Sequence, residues 1–404
     1  MNKCKLTTAI KRIINNSHWL SGVPYAARIC NNNNPWLSQV PYGARICNNN
    51  NPRLSQIPYA ARITNNNNLW LSRVPYPPRL CNNNNPWLLQ VPYAAMSSKV
   101  QPRENAAPPT TKIESRVGPE TKFFVNAKGK RIHCSYWRPN DCTEIRGLIF
   151  LCHGFAEHLQ WYEDLALRLT ARDLLAFGHD HVGHGRSEGV RGYVENVDDY
   201  VEDVLRHCDD VRAGYPGLPC FIVGHSMGGM IAIRTAMARP ELFRGVVLMG
   251  PLIRANEAEA TPLKIFLARL VARLLPYITV ATLKLEHVTR DQDMRNRLKK
   301  DPLRYHGGIR ARWAAAVVDS LLRIEEQMDS VEWPFLVLHG EADQLCAPDG
   351  SRDLLERSVS SDKELKVFPA ASHNLYLEVP DVRLQALQDT VEWITARLPD
   401  SNTK

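Results

Sequence analysis

PCFIVGHSMGGMIAIRTAMARP, residues Pro219–Pro240, is the stretch on which the reading of the chain turns. Phe221, Ile222 and Val223 make a short apolar run suited to a buried strand, and Gly224-His225-Ser226-Met227-Gly228 breaks it with two glycines around a serine. Met230, Ile231, Ile233 and Ala236 then carry helical spacing until Pro240 stops it. A sharp strand-to-helix turn forces its apex residue into strained backbone geometry, and only glycine-sized neighbours let strand and helix come close enough to hold it. Ser226 therefore projects its hydroxyl at a helix N-terminus, where the free N–H of Met227 and the helix dipole favour negative charge. G-x-S-x-G alone recurs by chance in roughly one chain in ten of this length, so its weight comes from lying between a strand and a helix.

The chain has 404 residues, 44% of them hydrophobic, which is room for one large domain and something more. Its net charge of +8 is unevenly spread, because residues 1–118 hold 14 Lys and Arg against two acids, Glu104 and Glu114. The remainder, with 36 basic and 40 acidic residues, is slightly acidic, so nucleic acid is not expected as a partner. Ten cysteines show no CxxC or metal-ligand spacing, which argues for free thiols in a reducing, cytoplasmic compartment. Met1–Leu20 carries Lys3, Lys5, Lys11 and Arg12 without an apolar core and is not a secretory signal. No apolar window is long enough to span a bilayer.

Residues 1–95 are dominated by a repeat of period 17, in which Val23, Val40, Ile57, Val74 and Val91 each open a V/I-P-Y unit and the first four units are followed by NNNN. Such polar units offer only isolated Trp, Tyr and Ile, so the block is expected to be disordered. Met96 opens a Pro-rich linker over 96–118 and offers an alternative start. The domain proper is expected over 119–400. Phe123–Val125 and Arg131–Trp137 flank a turn as a hairpin; Leu148–Cys152, Leu174–Phe177, Gly245–Met249, Phe335–Leu338 and Leu365–Phe368 read as strands. Between them lie helical patterns at Trp161–Leu169, Val197–Val211, Asp349–Val359 and Val382–Leu398. The alternation predicts an α/β fold with a mainly parallel sheet covered by helices on both faces. From about 252 to 328 only helical patterns appear, an insertion placed where a cap would cover the carboxyl ends of the strands.

A serine hydroxyl needs a base, and the base an orienting carboxylate. Asp343 follows strand FLVLHG and His373 follows strand LKVFP, both in loops at the carboxyl edge of the sheet. Ser226, Asp343 and His373 thus form a candidate triad in the order Ser, Asp, His. An oxyanion hole is expected from the backbone N–H groups of Met227 and Phe155, the latter in the loop after Leu148–Cys152. His179, Asp180, His181 and His184 invite a metal reading, but Gly183 and Gly185 point to a tight turn that Asp180 fixes, and no metal is expected. In the cap, Thr261–Pro276 places Leu263, Phe266, Leu267, Leu270, Val271 and Leu274 on one stripe with Lys264, Arg269 and Arg273 opposite. That pattern suits either packing on the core or an apolar face dipping into a membrane.

His153-Gly-Phe-Ala-Glu-His158, Asp180-His-Val-Gly-His-Gly-Arg-Ser-Glu-Gly189, Gly224-His-Ser-Met-Gly-Gly229 and Asp343-Gln-Leu-Cys346 together resemble the monoacylglycerol lipases of the α/β-hydrolase superfamily. The likeness covers about Thr121 to Leu398 and leaves the repeats unmatched. It implies the α/β-hydrolase fold and a serine hydrolase that cleaves monoacylglycerol to fatty acid and glycerol at a membrane surface, without a cofactor. It further implies that Glu157 and His225 hold the glycerol hydroxyls and that Cys346 is a thiol near the site. Trp161, Leu298 and Tyr376 stand where the family has Arg, Tyr and His at the glycerol end of the pocket, which puts the head-group preference in question. A lysophospholipase or broad carboxylesterase on the same triad, and a non-catalytic binding protein on the same fold, are the alternatives. Oligomeric state is not legible in the sequence.

Overall fold

The structure, a computed structural model, describes residues 118–139, 144–254 and 269–399. The chain divides into two compact units, Met1–Pro24 with Arg116–Lys404 and Tyr25–Ser115, and every described residue belongs to the first. The repeat block over 1–95, the linker up to residue 117 and the early part of the expected cap helix, with Leu263, Lys264, Phe266 and Leu267, lie outside the described residues.

Among the described residues, ten strands are interspersed with helices. The strands are β1 (Glu120–Val125), β2 (Arg131–Trp137), β3 (Gly147–Cys152), β4 (Leu174–His179), β5 (Cys220–His225), β6 (Gly245–Met249), β7 (Thr279–Ala281), β8 (Ile309–Arg310), β9 (Phe335–Gly340) and β10 (Lys363–Phe368). The main sheet runs β1-β2-β4-β3-β5-β6-β9-β10. Its β4-to-β10 part is parallel, and the β1–β2 hairpin adds an antiparallel edge. β3, β4, β5, β6 and β9 are buried at every position, so they read as unbroken apolar runs with no wet face.

Alternation along each strand sorts those runs into two cores. In β3, Leu148 and Phe150 join one core while Ile149 and Leu151 join the other. The first core is closed by α2 (Val197–Ala213) and α3 (Met227–Ala238), the second by α1 (Glu163–Thr170). Asn196 caps α2 by accepting the N–H of Asp198 at 3.1 Å.

The cap departs from the expectation. Besides α4 (Leu285–Val288), α5 (Gln292–Lys300) and α6 (Ala311–Gln327), it contains an antiparallel ribbon of β7 with β8. Strands of two and three residues are too short to show a period of two, so only the helices were legible. Residues 269–274 are helical and bury Ala272 against Ala311 and Ala315, leaving Leu270 and Leu274 exposed. The chain closes with α7 (Pro348–Arg357) and α8 (Pro380–Thr395), each opening on a proline at a position where the missing N–H costs nothing.

Candidate active site

Ser226 sits between β5 and α3 with φ 55° and ψ −118°, a backbone conformation that L-residues rarely adopt. Three hydrogen bonds hold it: its N–H donates to Met249 O at 3.1 Å, and its carbonyl accepts from Leu252 N at 3.0 Å and Met230 N at 3.1 Å. The turn closes because α3 crosses tightly under β3. A Cβ on Gly228 would stand 2.1 Å from Cys152 O, so nothing larger than glycine fits there. Ser226 is partly exposed while its neighbours His225 and Met227 are buried.

The loops after β9 and β10 bring the other two candidates to the same edge. His373 Nδ1 donates to Asp343 Oδ2 at 2.7 Å, and Asp343 Oδ1 accepts the N–H groups of Leu345 at 2.8 Å and Cys346 at 2.9 Å. Burial works to raise the Asp343 pKa, but attraction to His373 and hydrogen bonds from His339 and His373 outweigh it and hold the carboxyl well below the usual range. Cys346 Sγ lies 4.0 Å from Ser226 Oγ, tying the Asp343 loop to the serine turn, and burial pushes the Cys346 thiol well above its ordinary pKa. The thiol form is therefore favoured over the thiolate there.

The loop after β3 supplies the third part. No hydrogen bond joins the N–H of Phe155 or of Met227 to another described residue, which leaves both available to an oxyanion. The Phe155 ring packs 4.3 Å from that of Trp313 on α6, so its bulk locks the loop against the cap. Ala156 takes φ 67°, the left-handed region, and Tyr305 N from the cap donates to its carbonyl at 3.1 Å.

Glu157 lies under this loop with both oxygens engaged. Oε2 accepts from Gly154 N at 2.9 Å, the Tyr162 hydroxyl at 2.7 Å and His225 Nδ1 at 3.1 Å, and Oε1 accepts from Asn374 Nδ2 at 2.8 Å. Burial alone would raise its pKa, yet His225 and these donors hold it far below the carboxylate range. Of the two residues expected to hold head-group hydroxyls, Glu157 is thus fully committed within the protein. His225 keeps a buried Nε2 without a partner, its ring 4.7 Å from that of His373.

Asp180 fixes its turn as expected, and reaches further: Oδ2 accepts from Arg186 N at 2.7 Å and Oδ1 from Leu159 N at 2.8 Å. His181 N donates to His153 Nε2 at 2.9 Å while His153 Nδ1 donates to Gly154 O at 2.8 Å, so this imidazole underpins the candidate oxyanion loop as a neutral ring. Among the described residues no group of His, Cys, Asp and Glu has the geometry of a metal site. The five described cysteines, Cys134, Cys152, Cys208, Cys220 and Cys346, are free and buried.

Of the three departures from the family pattern, Trp161 and Leu298 belong to one apolar cluster and Tyr376 to another. Trp161 Nε1 donates to Asp301 Oδ2 at 2.7 Å, and Leu298 packs with Val288, Met294 and Leu377. Tyr376 turns into the second core and bonds Thr390 Oγ1 at 2.7 Å, because the short 3-10 turn Leu375–Leu377 carries it away from the loop of His373.

Three supporting residues had no signature in the sequence. His339 Nε2 lies 3.2 Å from Asp343 Oδ2 and 2.8 Å from Cys346 O, closing the carboxylate in from behind. Glu378, fully buried, accepts from Ser372 N at 3.0 Å and from Arg290 Nε at 2.9 Å, bracing the His373 loop against the cap. Gly250, with φ 47°, lies against the Asp343–His373 pair.

Residues 143–380 match the family of serine aminopeptidases, S33. The chain is 39% identical to human monoglyceride lipase over 280 residues, which is 69% of this chain and 92% of the human protein. It is 34% identical to monoacylglycerol lipase of Mycolicibacterium smegmatis over 275 residues, 68% of this chain and 96% of the bacterial one. The crystal structure of a soluble variant of monoglyceride lipase from Saccharomyces cerevisiae, bound to a substrate analogue, superposes with a TM-score of 0.62 at 25% identity, covering 72% of this chain and all of that one.

Proposed function

The chain belongs to the monoglyceride lipase family of serine hydrolases, and from that premise we propose that it cleaves the ester of a monoacylglycerol into fatty acid and glycerol through an acyl-enzyme on Ser226. The observation that carries the assignment is the convergence, at one sheet edge, of the strained Ser226 turn, the 2.7 Å His373–Asp343 hydrogen bond and two unbonded N–H groups. In this mechanism His373 takes the proton of Ser226 as the oxygen attacks the ester carbonyl. The anionic Asp343 holds the His373 Nδ1–H and stabilises the imidazolium that forms. The N–H groups of Phe155 and Met227 receive the developing oxyanion. His373 then protonates the departing glycerol, and water, deprotonated by the same ring, releases the fatty acid. No step calls for a metal or cofactor.

Docking of the cap on a lipid surface is the finer part of the proposal. Leu270, Leu274 and Tyr277 are 44%, 67% and 54% exposed, with Arg273 exposed beside them. Apolar side chains rimmed by a cation suit the boundary of an anionic bilayer. No helix among the described residues is long and apolar enough to cross a membrane.

The test compares kcat/KM of the full chain for a long-chain monoacylglycerol, the matching lysophosphatidylcholine and a short-chain ester, with Ser226→Ala alongside. Monoacylglycerol is expected to lead by about tenfold or more, and the variant to lose about 10⁶ in kcat. A lead for lysophosphatidylcholine would make the chain a lysophospholipase; retention of more than about a hundredth of the rate in the variant would remove Ser226 as nucleophile.

A further inference from the structure

The cap grips the candidate site at more than one place. Residues 301–306, between α5 and β8, form a strap in which Tyr305 N donates to Ala156 O at 3.1 Å, while Asp301 Oδ2 accepts from His158 Nε2 at 2.6 Å and Trp161 Nε1 at 2.7 Å. A second stretch, residues 287–290 at the end of α4, runs along the loop of His373. Asn374 N donates to Val288 O at 2.9 Å, and His373 N reaches His287 O at 3.4 Å. Thr289, fully buried, donates its hydroxyl to Leu377 O at 2.7 Å. Arg290 donates twice to Glu378, from its backbone N to Oε1 at 3.0 Å and from Nε to Oε2 at 2.9 Å. Four successive cap residues thus follow the chain from His373 to Glu378. The need is topological: β10 ends the main sheet and pairs with β9 alone, so beyond Ala371 the backbone of the loop turns to the cap for partners.

Glu378 closes the loop both on itself and on the cap. Its Oε1 also accepts Ser372 N at 3.0 Å and its Oε2 Val379 N at 3.1 Å, so a carboxylate with no exposed surface takes four donors. Burial works to raise its pKa, but the N–H groups of Arg290, Val379 and Ser372 and the Arg290 guanidinium hold it below the ordinary range. The residue before His373 is therefore tied to Glu378 and the residue after it to Val288. Between two fixed peptides the Cα–Cβ bond of His373 has one direction. The ring needs that direction, because Nδ1 stays on Asp343 at 2.7 Å while the far nitrogen serves Ser226 and then the leaving alcohol.

We propose that Glu378 and Arg290 are positioning residues for His373: the cap segment gripped by the Glu378 carboxylate aims the general base, and loosening that grip costs proton transfer rather than substrate binding. The inference rests on the serine hydrolase reading with His373 as the base. Both residues act through the peptides that flank His373, and neither takes part in bond breaking.

The test compares kcat/KM of the full chain for a monoacylglycerol and for the p-nitrophenyl ester of the same fatty acid. Both acylate Ser226, but the glycerol alkoxide needs a proton from His373 to leave, whereas p-nitrophenolate, a weak base, leaves without one. A variant that is merely less folded lowers both values in the same proportion. Glu378→Gln keeps the shape of the side chain and puts a donor where an acceptor is needed. It is expected to lower kcat for monoacylglycerol by about 10² with KM little changed. Its loss in kcat/KM should be at least about tenfold larger for monoacylglycerol than for the p-nitrophenyl ester. Arg290→Leu should move the ratio in the same sense, and Arg290→Lys should recover part of it. Equal losses on the two esters overturn the proposal, as does an unaltered kcat in Glu378→Gln. Should Glu378→Gln fail to fold, Arg290→Leu decides by the same ratio, since that side chain is 38% exposed and its backbone N stays on Glu378. His373→Ala run alongside separates the two readings: wild-type rates on both esters in that variant would sink the underlying assignment of the base.

Discussion

Glu157 and Asn374 stand 217 positions apart in the chain and are joined by a hydrogen bond of 2.8 Å. The first belongs to the loop that carries the candidate oxyanion donor Phe155, the second follows His373. The contact therefore ties the loop of Phe155 to the segment beside His373, and the Glu157 carboxylate becomes a register pin between the two.

Glu157→Ala should destabilise the fold by about 3–5 kcal/mol, because it strands the Gly154 N–H, the Tyr162 hydroxyl, His225 and Asn374 in a dry interior. Urea denaturation of wild type and variant at pH 7.5 reads the difference directly. A loss below about 1 kcal/mol, the scale of one ordinary hydrogen bond, would mean that the carboxylate is dispensable as a hub.

Asp343→Asn should keep the fold and lower kcat by about 10⁴ with KM little changed, since an amide no longer selects the Nδ1–H tautomer of His373. Asp343 is ionised throughout the working range, so the rate should show no loss from its titration above pH 5. Steady-state kinetics with circular dichroism as a folding control settle the point; a kcat within about tenfold of wild type would place the orienting carboxylate elsewhere.

Gly250→Ala offers a probe that removes no functional group. A Cβ there would lie 2.8 Å from His373 O, 3.2 Å from His373 Nδ1 and 3.3 Å from Asp343 Oδ2, on a residue with φ 47°. The pair must move, and a shift of about 1 Å costs on the order of 10² in kcat. An unaltered kcat would show that the His373 loop can relax without losing its aim on Ser226.

Acid should unfold the domain early. Burial holds His184 and His207 at a pKa of about 3, and His179 and His181 well below the ordinary value. In the unfolded chain each takes up a proton near pH 6.5, but the folded chain refuses it until about 3 for His184 and His207. The stability linked to their neutral state is complete above pH 6.5 and falls as pH drops below it, by about 1.4 kcal/mol per pH unit for each ring. Calorimetric Tm values at pH 7.5, 6.5 and 5.5 should decline with growing slope, and His207→Gln should flatten that slope by one proton. A Tm independent of pH across this range contradicts the buried neutral cluster.

The sheet was legible because parallel strands covered on both faces are short apolar runs closed by glycine or proline; FIVGHS and FLVLHG end where β5 and β9 deliver Ser226 and Asp343. The candidate triad was read from the same signal, since residues placed at strand ends follow from where strands end. What escaped reading was everything made by contact across the sequence. His339 and Glu378 look like any histidine in a strand and any acid before a helix, and only the packing of β9, β10 and the cap gives them their partners. The β7–β8 ribbon escaped because five residues are too few to carry a period. The partner of Tyr376 escaped too, because the turn at Leu375–Leu377 sends its side chain to Thr390, 14 positions on.

The strap over residues 301–306 divides the cap by mobility. Tyr305 and Asp301 fasten it to residues 156–161 by three hydrogen bonds, so it cannot swing open without breaking them. Any motion of the cap that spares these bonds must hinge outside residues 301–306. The loop that carries Phe155 and Glu157 is thus held twice over, by Tyr305 of the cap and by Asn374 beside His373.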